Sequence, residues 1–105
     1  MNMDRLAALE KLLLETPGDP FLRYGIALEH ARLGNRREAI ARIENLLHDY
    51  PDYLGAFYQL GQWYEQEDLI EMAKEIYRRG MILAEHERNL KTLGELRSAL
   101  DLLED

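Results

Sequence analysis

Three histidines, a serine and twenty acidic side chains are the groups through which this chain could do chemistry. A metal site inside a helical bundle is built from Glu-x-x-His pairs on facing helices. Three residues before His30, His48 and His86 stand Ala27, Asn45 and Leu83, so the pattern is missing. There is no cysteine, which removes disulfides, thiolate metal sites and thiol nucleophiles. The seven glycines stand singly, and a phosphate-cradling loop needs them clustered. Ser98, on the last helix, is the only serine. The carboxylates read as solvated surface charge, their ordinary state. The expectation is a protein that is not an enzyme and uses no cofactor or metal.

The elements that carry these residues are bounded by composition. A chain of 105 residues suits one domain with a thin core. Its 47% hydrophobic content supports folding despite 31% charged residues. Charges at Asp4, Arg5, Glu10 and Lys11 interrupt the N-terminal apolar residues, so no signal-peptide core is expected. No run approaches the roughly 20 apolar residues of a membrane span. A cytoplasmic protein without a membrane partner is expected. The net charge of -7 argues against nucleic acid as a partner, because phosphate binding needs a basic surface. The charge is uneven. Residues 20–42 hold five arginines against two glutamates, a net of +3; residues 65–75 hold five acidic residues against one lysine, a net of -4.

The chain repeats itself at a shift of 34 residues. Leu6–Pro17 lies over Ile40–Pro51, with Ala7/Ala41, Glu10/Glu44, Leu12/Leu46, Leu13/Leu47 and Pro17/Pro51 identical. The same shift carries Ala27 to Gly61, Ala39 to Ala73 and Ile43 to Tyr77. Phe57, Leu60, Gly61 and Tyr64 fall at i, i+3, i+4 and i+7, one face of a helix. Gly61 and Ala73 are small where two helices would cross closely, and Ala27 and Ala39 repeat the arrangement. Gly34-Asn35 reads as a turn; Asp68 takes the corresponding place and is expected to cap the next helix. Pro17 and Pro51 close helix pairs. Six helices are predicted near 3–15, 20–33, 36–49, 53–66, 70–86 and 90–103. The last has Leu93, Leu96, Leu100 and Leu103 on one stripe, with Lys91, Glu95, Arg97 and Asp101 off it.

Phe57-x-x-Leu60-Gly61-x-x-Tyr64 followed by Ala73-x-x-x-Tyr77 resembles the tetratricopeptide repeat, whose pattern is Trp-x-x-Leu-Gly-x-x-Tyr, Ala-x-x-x-Phe and Pro. The resemblance covers about residues 5 to 87. The first copy departs from it at Arg23, Ile26-Ala27 and His30, and the second ends in Glu85 where the family has Pro. The implied fold is all-α, a right-handed solenoid of antiparallel helix pairs. Residues 1–19 would form a half repeat, 20–53 and 54–87 two full repeats, and 88–105 a capping helix, all in a single domain.

The resemblance also implies a concave wall made by the first helix of each pair. Its groove positions map onto Phe21, Tyr24, Leu28 and Arg32, then Tyr58, Gln62, Glu65 and Gln66. Tyr58, Gln62 and Glu65 lie at i, i+4 and i+7, off the Phe57–Tyr64 face. Tyrosines there would anchor a peptide, since each offers large area, a polar tip and few rotors. The competing expectation is that the last helix covers this surface. The lysine, arginine and asparagine groove residues of the family's carboxylate clamps are absent at Tyr24, Leu28, Tyr58 and Gln62. Trp63 reads as helix packing rather than a partner hot spot, and His30 as a core-edge ring where the family has Tyr. The function expected is an adaptor that binds an unidentified protein or peptide. The alternative is self-association into dimers or head-to-tail oligomers through the terminal helices, where Leu6, Leu9, Leu12, Leu13 and Leu14 leave apolar residues on more than one face and the basic-early, acidic-late charge favours head-to-tail contact. The expected state is monomer or weak homo-oligomer.

Overall fold

The computed structural model describes residues 2–104, with side chains from Asp4 onward. All regular structure among them is helical: α1 (Asn2–Glu15), α2 (Pro20–Arg32), α3 (Arg36–Asp49), α4 (Gly55–Gln66), α5 (Ile70–His86) and α6 (Leu90–Leu103). Two compact units hold three helices each, Met1–Pro51 and Asp52–Asp105. In the first, α2 packs on both α1 and α3; in the second, α5 packs on both α4 and α6. Within each unit, helices adjacent in the chain pair through short turns.

The turns inside the pairs share one mechanism. Gly34 N–H donates to the Ala31 carbonyl at 3.0 Å, and Asn35 N–H to that of His30 at 2.8 Å. This double closure satisfies two carbonyls that the helix end would leave bare, and it puts the first donor residue in the left-handed region. Gly34 has φ 93°. Asp68 occupies the same position after α4 with φ 61°, its N–H on Glu65 and that of Leu69 on Tyr64. The expected cap at Asp68 is therefore corrected: Leu69 is the N-cap of α5, and no side chain bonds that helix start. Arg88 repeats the closure after α5 with φ 58°. A non-glycine side chain in this region costs roughly 1 kcal/mol, and Arg88 is exposed. Arg88→Gly is expected to stabilise the protein by at most ~0.5 kcal/mol, the strain relieved less the extra entropy that glycine brings to the unfolded chain. A raised urea midpoint at unchanged slope would show it.

Side-chain caps appear where the loops supply them. Asp19 accepts from the N–H groups of Phe21 and Leu22 ahead of α2, with Pro20 opening the helix. Asn89 accepts from Thr92 N–H ahead of α6. The α1–α2 turn is tied from the end of α3, where the Tyr50 hydroxyl donates to the Gly18 carbonyl. α4 starts at Gly55, two residues later than its periodicity predicts, because Tyr53 and Leu54 form the entering turn.

Ile26, Ala27, Ala39, Ile43 and Leu46 are buried in the first unit, and Phe57, Leu60, Ala73, Tyr77 and Leu96 in the second. Gly61 is where α4 takes in a side chain of α5. A Cβ there would fall on ring atoms of Tyr77. Gly80 plays the same part on α5: a Cβ would come 2.8 Å from Phe57 Cβ and 2.9 Å from Leu96 Cδ1. The three helices of the second unit meet at these contacts.

Candidate functional site

Tyr77 is fully buried by ring area, yet its hydroxyl reaches one face of α4. It donates to Glu65 Oε2 and accepts from Gln62 Nε2 at 2.7 Å; Gln62 Nε2 also lies 3.3 Å from Glu65 Oε2. The Tyr58 ring leans on the Tyr77 ring, with centroids 6.2 Å apart and planes at 39°. Tyr58, Gln62 and Glu65 are thus held from beneath by one residue of α5. Loss of their rotamer freedom occurs on folding rather than on binding, which favours recognition.

Burial pushes the Tyr77 phenol above its ordinary range, and the hydrogen bond and charge of Glu65 add to the shift. A raised pKa in the folded state favours the protonated form. Its stabilising contribution is complete below the unfolded value of about 10 and is lost as pH rises beyond it. Between about pH 9 and pH 11, the denaturation midpoint of the wild type is expected to fall more steeply than that of Tyr77→Phe, which cannot ionise there. Parallel slopes would contradict the buried-phenol assignment.

These α4 residues form one wall of an open groove of about 710 Å³. The other wall is α6, through Leu90, Lys91, Gly94, Glu95, Ser98, Ala99 and Leu102. Tyr58 is 41% exposed, Leu90 76% and Leu102 88%. α6 therefore stands beside the α4 surface and leaves it open. It presents two sides: Leu93, Leu96, Ala99 and Leu100 are buried, while Leu90, Gly94, Ser98 and Leu102 run at four-residue spacing along the groove. This second stripe is absent from the sequence reading. Its signal was present in Leu90 and Leu102, which fall off the Leu93–Leu103 stripe and are separated by small residues.

Gln66, the fourth α4 candidate, is exposed and outside the groove lining. The α2 candidates belong to the first unit. Phe21 is 72% exposed, Leu28 is exposed at the margin and Tyr24 is half-buried. Arg32 is engaged at home: its guanidinium grips Glu29 through two hydrogen bonds, Nε to Oε1 at 3.1 Å and Nη2 to Oε2. Glu29 is only 3% exposed, with Arg5 Nε a further 3.6 Å from Oε1. The Arg32 hydrogen bond outweighs the effect of burial and holds the Glu29 carboxyl below its ordinary range. This pair stabilises the fold at neutral pH, and its contribution fades as acid protonates Glu29. His30 is half-buried, and both ring nitrogens are buried without a hydrogen-bond partner. Trp63 is buried on α4. Among the described residues, no three His, Cys, Asp or Glu side chains gather to hold a metal ion. No described helix is long and apolar enough to cross a membrane.

No family model and no curated protein sequence matches the chain. Solved structures do. The solution structure of a tetratricopeptide repeat domain protein from Salinibacter ruber is 40% identical, with a TM-score of 0.80 over 84% of this chain and 89% of that one. A crystal structure of a tetratricopeptide repeat domain protein from the same organism is also 40% identical, with a TM-score of 0.77 over 82% of this chain and 96% of that one. The chain belongs to the tetratricopeptide repeat family. Tetratricopeptide proteins are typically non-catalytic scaffolds, and their domains generally act as protein–protein interaction modules. In this tetratricopeptide protein, the family's aromatic position in the second helix of the repeat is filled by Tyr77. Its ring fills the gap over Gly61, and its hydroxyl organises Gln62 and Glu65.

Proposed function

We propose that this tetratricopeptide protein is an adaptor that holds a peptide segment of its partner in the groove between α4 and α6. The observation that carries the reading is the pairing of exposed apolar side chains, Tyr58 on one wall and Leu90 and Leu102 on the other, around one cleft. Apolar side chains gathered at a cleft favour a partner that takes them out of water. Tyr58 is already braced by Tyr77, so little order remains to be imposed when a partner arrives.

A peptide selected from a random library against the full chain, then titrated by NMR, tests this. Amide shifts are expected at Tyr58, Gln62, Gly94 and Ser98. The double variant Tyr58→Ala/Leu102→Ala is expected to weaken binding by about 100-fold, the loss of one apolar anchor from each wall. Shifts confined to other surfaces, or an unchanged affinity in a folded double variant, would defeat the groove.

Self-association through the terminal helices is the other reading, favoured by exposed Leu12 and Leu14 on α1 and Leu90 and Leu102 on α6. Charge gives it little support. The five arginines of residues 20–42 are engaged within the molecule: Arg23 with Asp49 at 2.8 Å, Arg42 with Glu38 at 2.9 Å, Arg32 with Glu29, and Arg36 and Arg37 with partners of their own. A monomer by light scattering at high protein concentration and low salt removes this reading.

A further inference from the structure

We infer that the groove selects a cationic segment with apolar side chains flanking a lysine or arginine, an inference that rests on the peptide-binding reading above. The apolar anchors stand at the two ends of the α6 wall. Leu90 and Leu102 are twelve residues apart, about 18 Å along a helix. An extended partner covers that distance in about six residues. Between the anchors lie Gly94 and Ser98, and a Cβ on Gly94 would meet nothing within 4 Å. Packing does not demand the glycine. Its bareness lets a partner's backbone come close to α6 at the middle of the groove.

The charge at that middle is negative. Glu65 projects from α4 and Glu95 from α6, against the single cation Lys91. Glu65 accepts the Tyr77 hydroxyl and the Gln62 amide, which fix its carboxylate in place without neutralising it. Glu95 is exposed and makes no ion pair among the described residues, so its carboxylate is open to a partner's cation. The surroundings reinforce the sign. Residues 52–105 hold twelve acidic and six basic side chains, a net of -6 out of the whole chain's -7. A cleft lined by one sign and set in a surface of the same sign concentrates the opposite charge. An acidic segment would meet Glu65 and Glu95 with no cation but Lys91 to receive it.

The experiment separates this inference from the reading beneath it. Peptides are selected from a random library on the full chain, with Tyr58→Ala/Leu102→Ala as the counter-selection. Enrichment of lysine or arginine between leucine, isoleucine or aromatic residues is expected. Enriched peptides that are acidic or neutral overturn the charge preference and leave the groove standing. No enrichment beyond the counter-selection overturns both. The charge is then tested directly with a synthetic peptide that alternates leucine and lysine, and with its glutamate-for-lysine counterpart. Glu95 is exposed, so Glu95→Lys preserves the fold. That variant is expected to bind the lysine peptide about tenfold more weakly and the glutamate peptide more tightly, with the salt dependence reversed. Equal binding of the two peptides by wild type and Glu95→Lys overturns the inference.

Discussion

Gly61→Ala is expected to destabilise the protein by ~3 kcal/mol, although alanine is the better helix former by about 1 kcal/mol. The added Cβ would fall on Tyr77 ring atoms. The ring is fully buried, so it has no solvent-filled space to move into. Relief requires α4 and α5 to separate or Tyr77 to leave its rotamer. Either movement takes the hydroxyl away from Glu65 and Gln62 and removes the support beneath Tyr58. Gly25 and Gly94 supply the control. Both lie inside helices, and a Cβ on either would meet nothing within 4 Å. Gly25→Ala and Gly94→Ala are each expected to stabilise by ~0.5–1 kcal/mol, the propensity difference alone. Urea denaturation of the three variants distinguishes the two effects by sign. If Gly61→Ala gained stability like the other two, the close crossing of α4 and α5 would be wrong.

The same glycine marks how far the sequence can be read. The 34-residue period and the small residues at Ala27, Ala39, Gly61 and Ala73 specify helix pairs, because a close crossing excludes larger side chains. Helix ends at Glu15, Asp49, Gln66, His86 and Leu103 follow from where the apolar periodicity stops. The left-handed turns at Asp68 and Arg88 are less legible. Their φ values follow from two carbonyls that need donors, and neither residue type announces it. Asp68 reads as a cap because Asp commonly caps, whereas the chain uses its backbone. At the site, helical spacing placed Tyr58, Gln62 and Glu65 on one face without revealing their brace. Tyr77 is assigned to the core by its place in Ala73-x-x-x-Tyr77; the direction of its hydroxyl depends on how α5 packs on α4. The α6 wall was hidden for a related reason. A stripe of leucines identifies the buried side of a helix, but the partner-facing side is defined by the neighbour it stands beside.

Leu96→Ala tests that double character of α6, with an expected loss of ~3 kcal/mol. Leu96 is among the fully buried side chains, and its Cδ1 closes over Gly80, whose backbone admits it. Truncation leaves a cavity that Gly80 cannot fill and that Phe57, packed against the same glycine, can collapse into only partly. The unit that holds these residues spans only 52–105, and small units bury little surface to spare. Typical domains have a total stability of about 5–15 kcal/mol, so a loss of this size removes a large share. Arg78, which reaches across from α5 to Glu104 at 2.7 Å, cannot compensate, because exposed ion pairs contribute at most about 1 kcal/mol. Leu102→Ala gives the opposite pattern on the same helix. Its side chain is almost wholly exposed, so the unfolding midpoint is expected to stay within ~0.5 kcal/mol of wild type while peptide affinity falls. Calorimetric melting of the two variants, alongside titration with a selected peptide, separates the buried side of α6 from its groove side. A Leu96→Ala protein as stable as wild type would mean that α6 is an appendage rather than part of the core, and the second wall of the groove would have nothing to hold it in place.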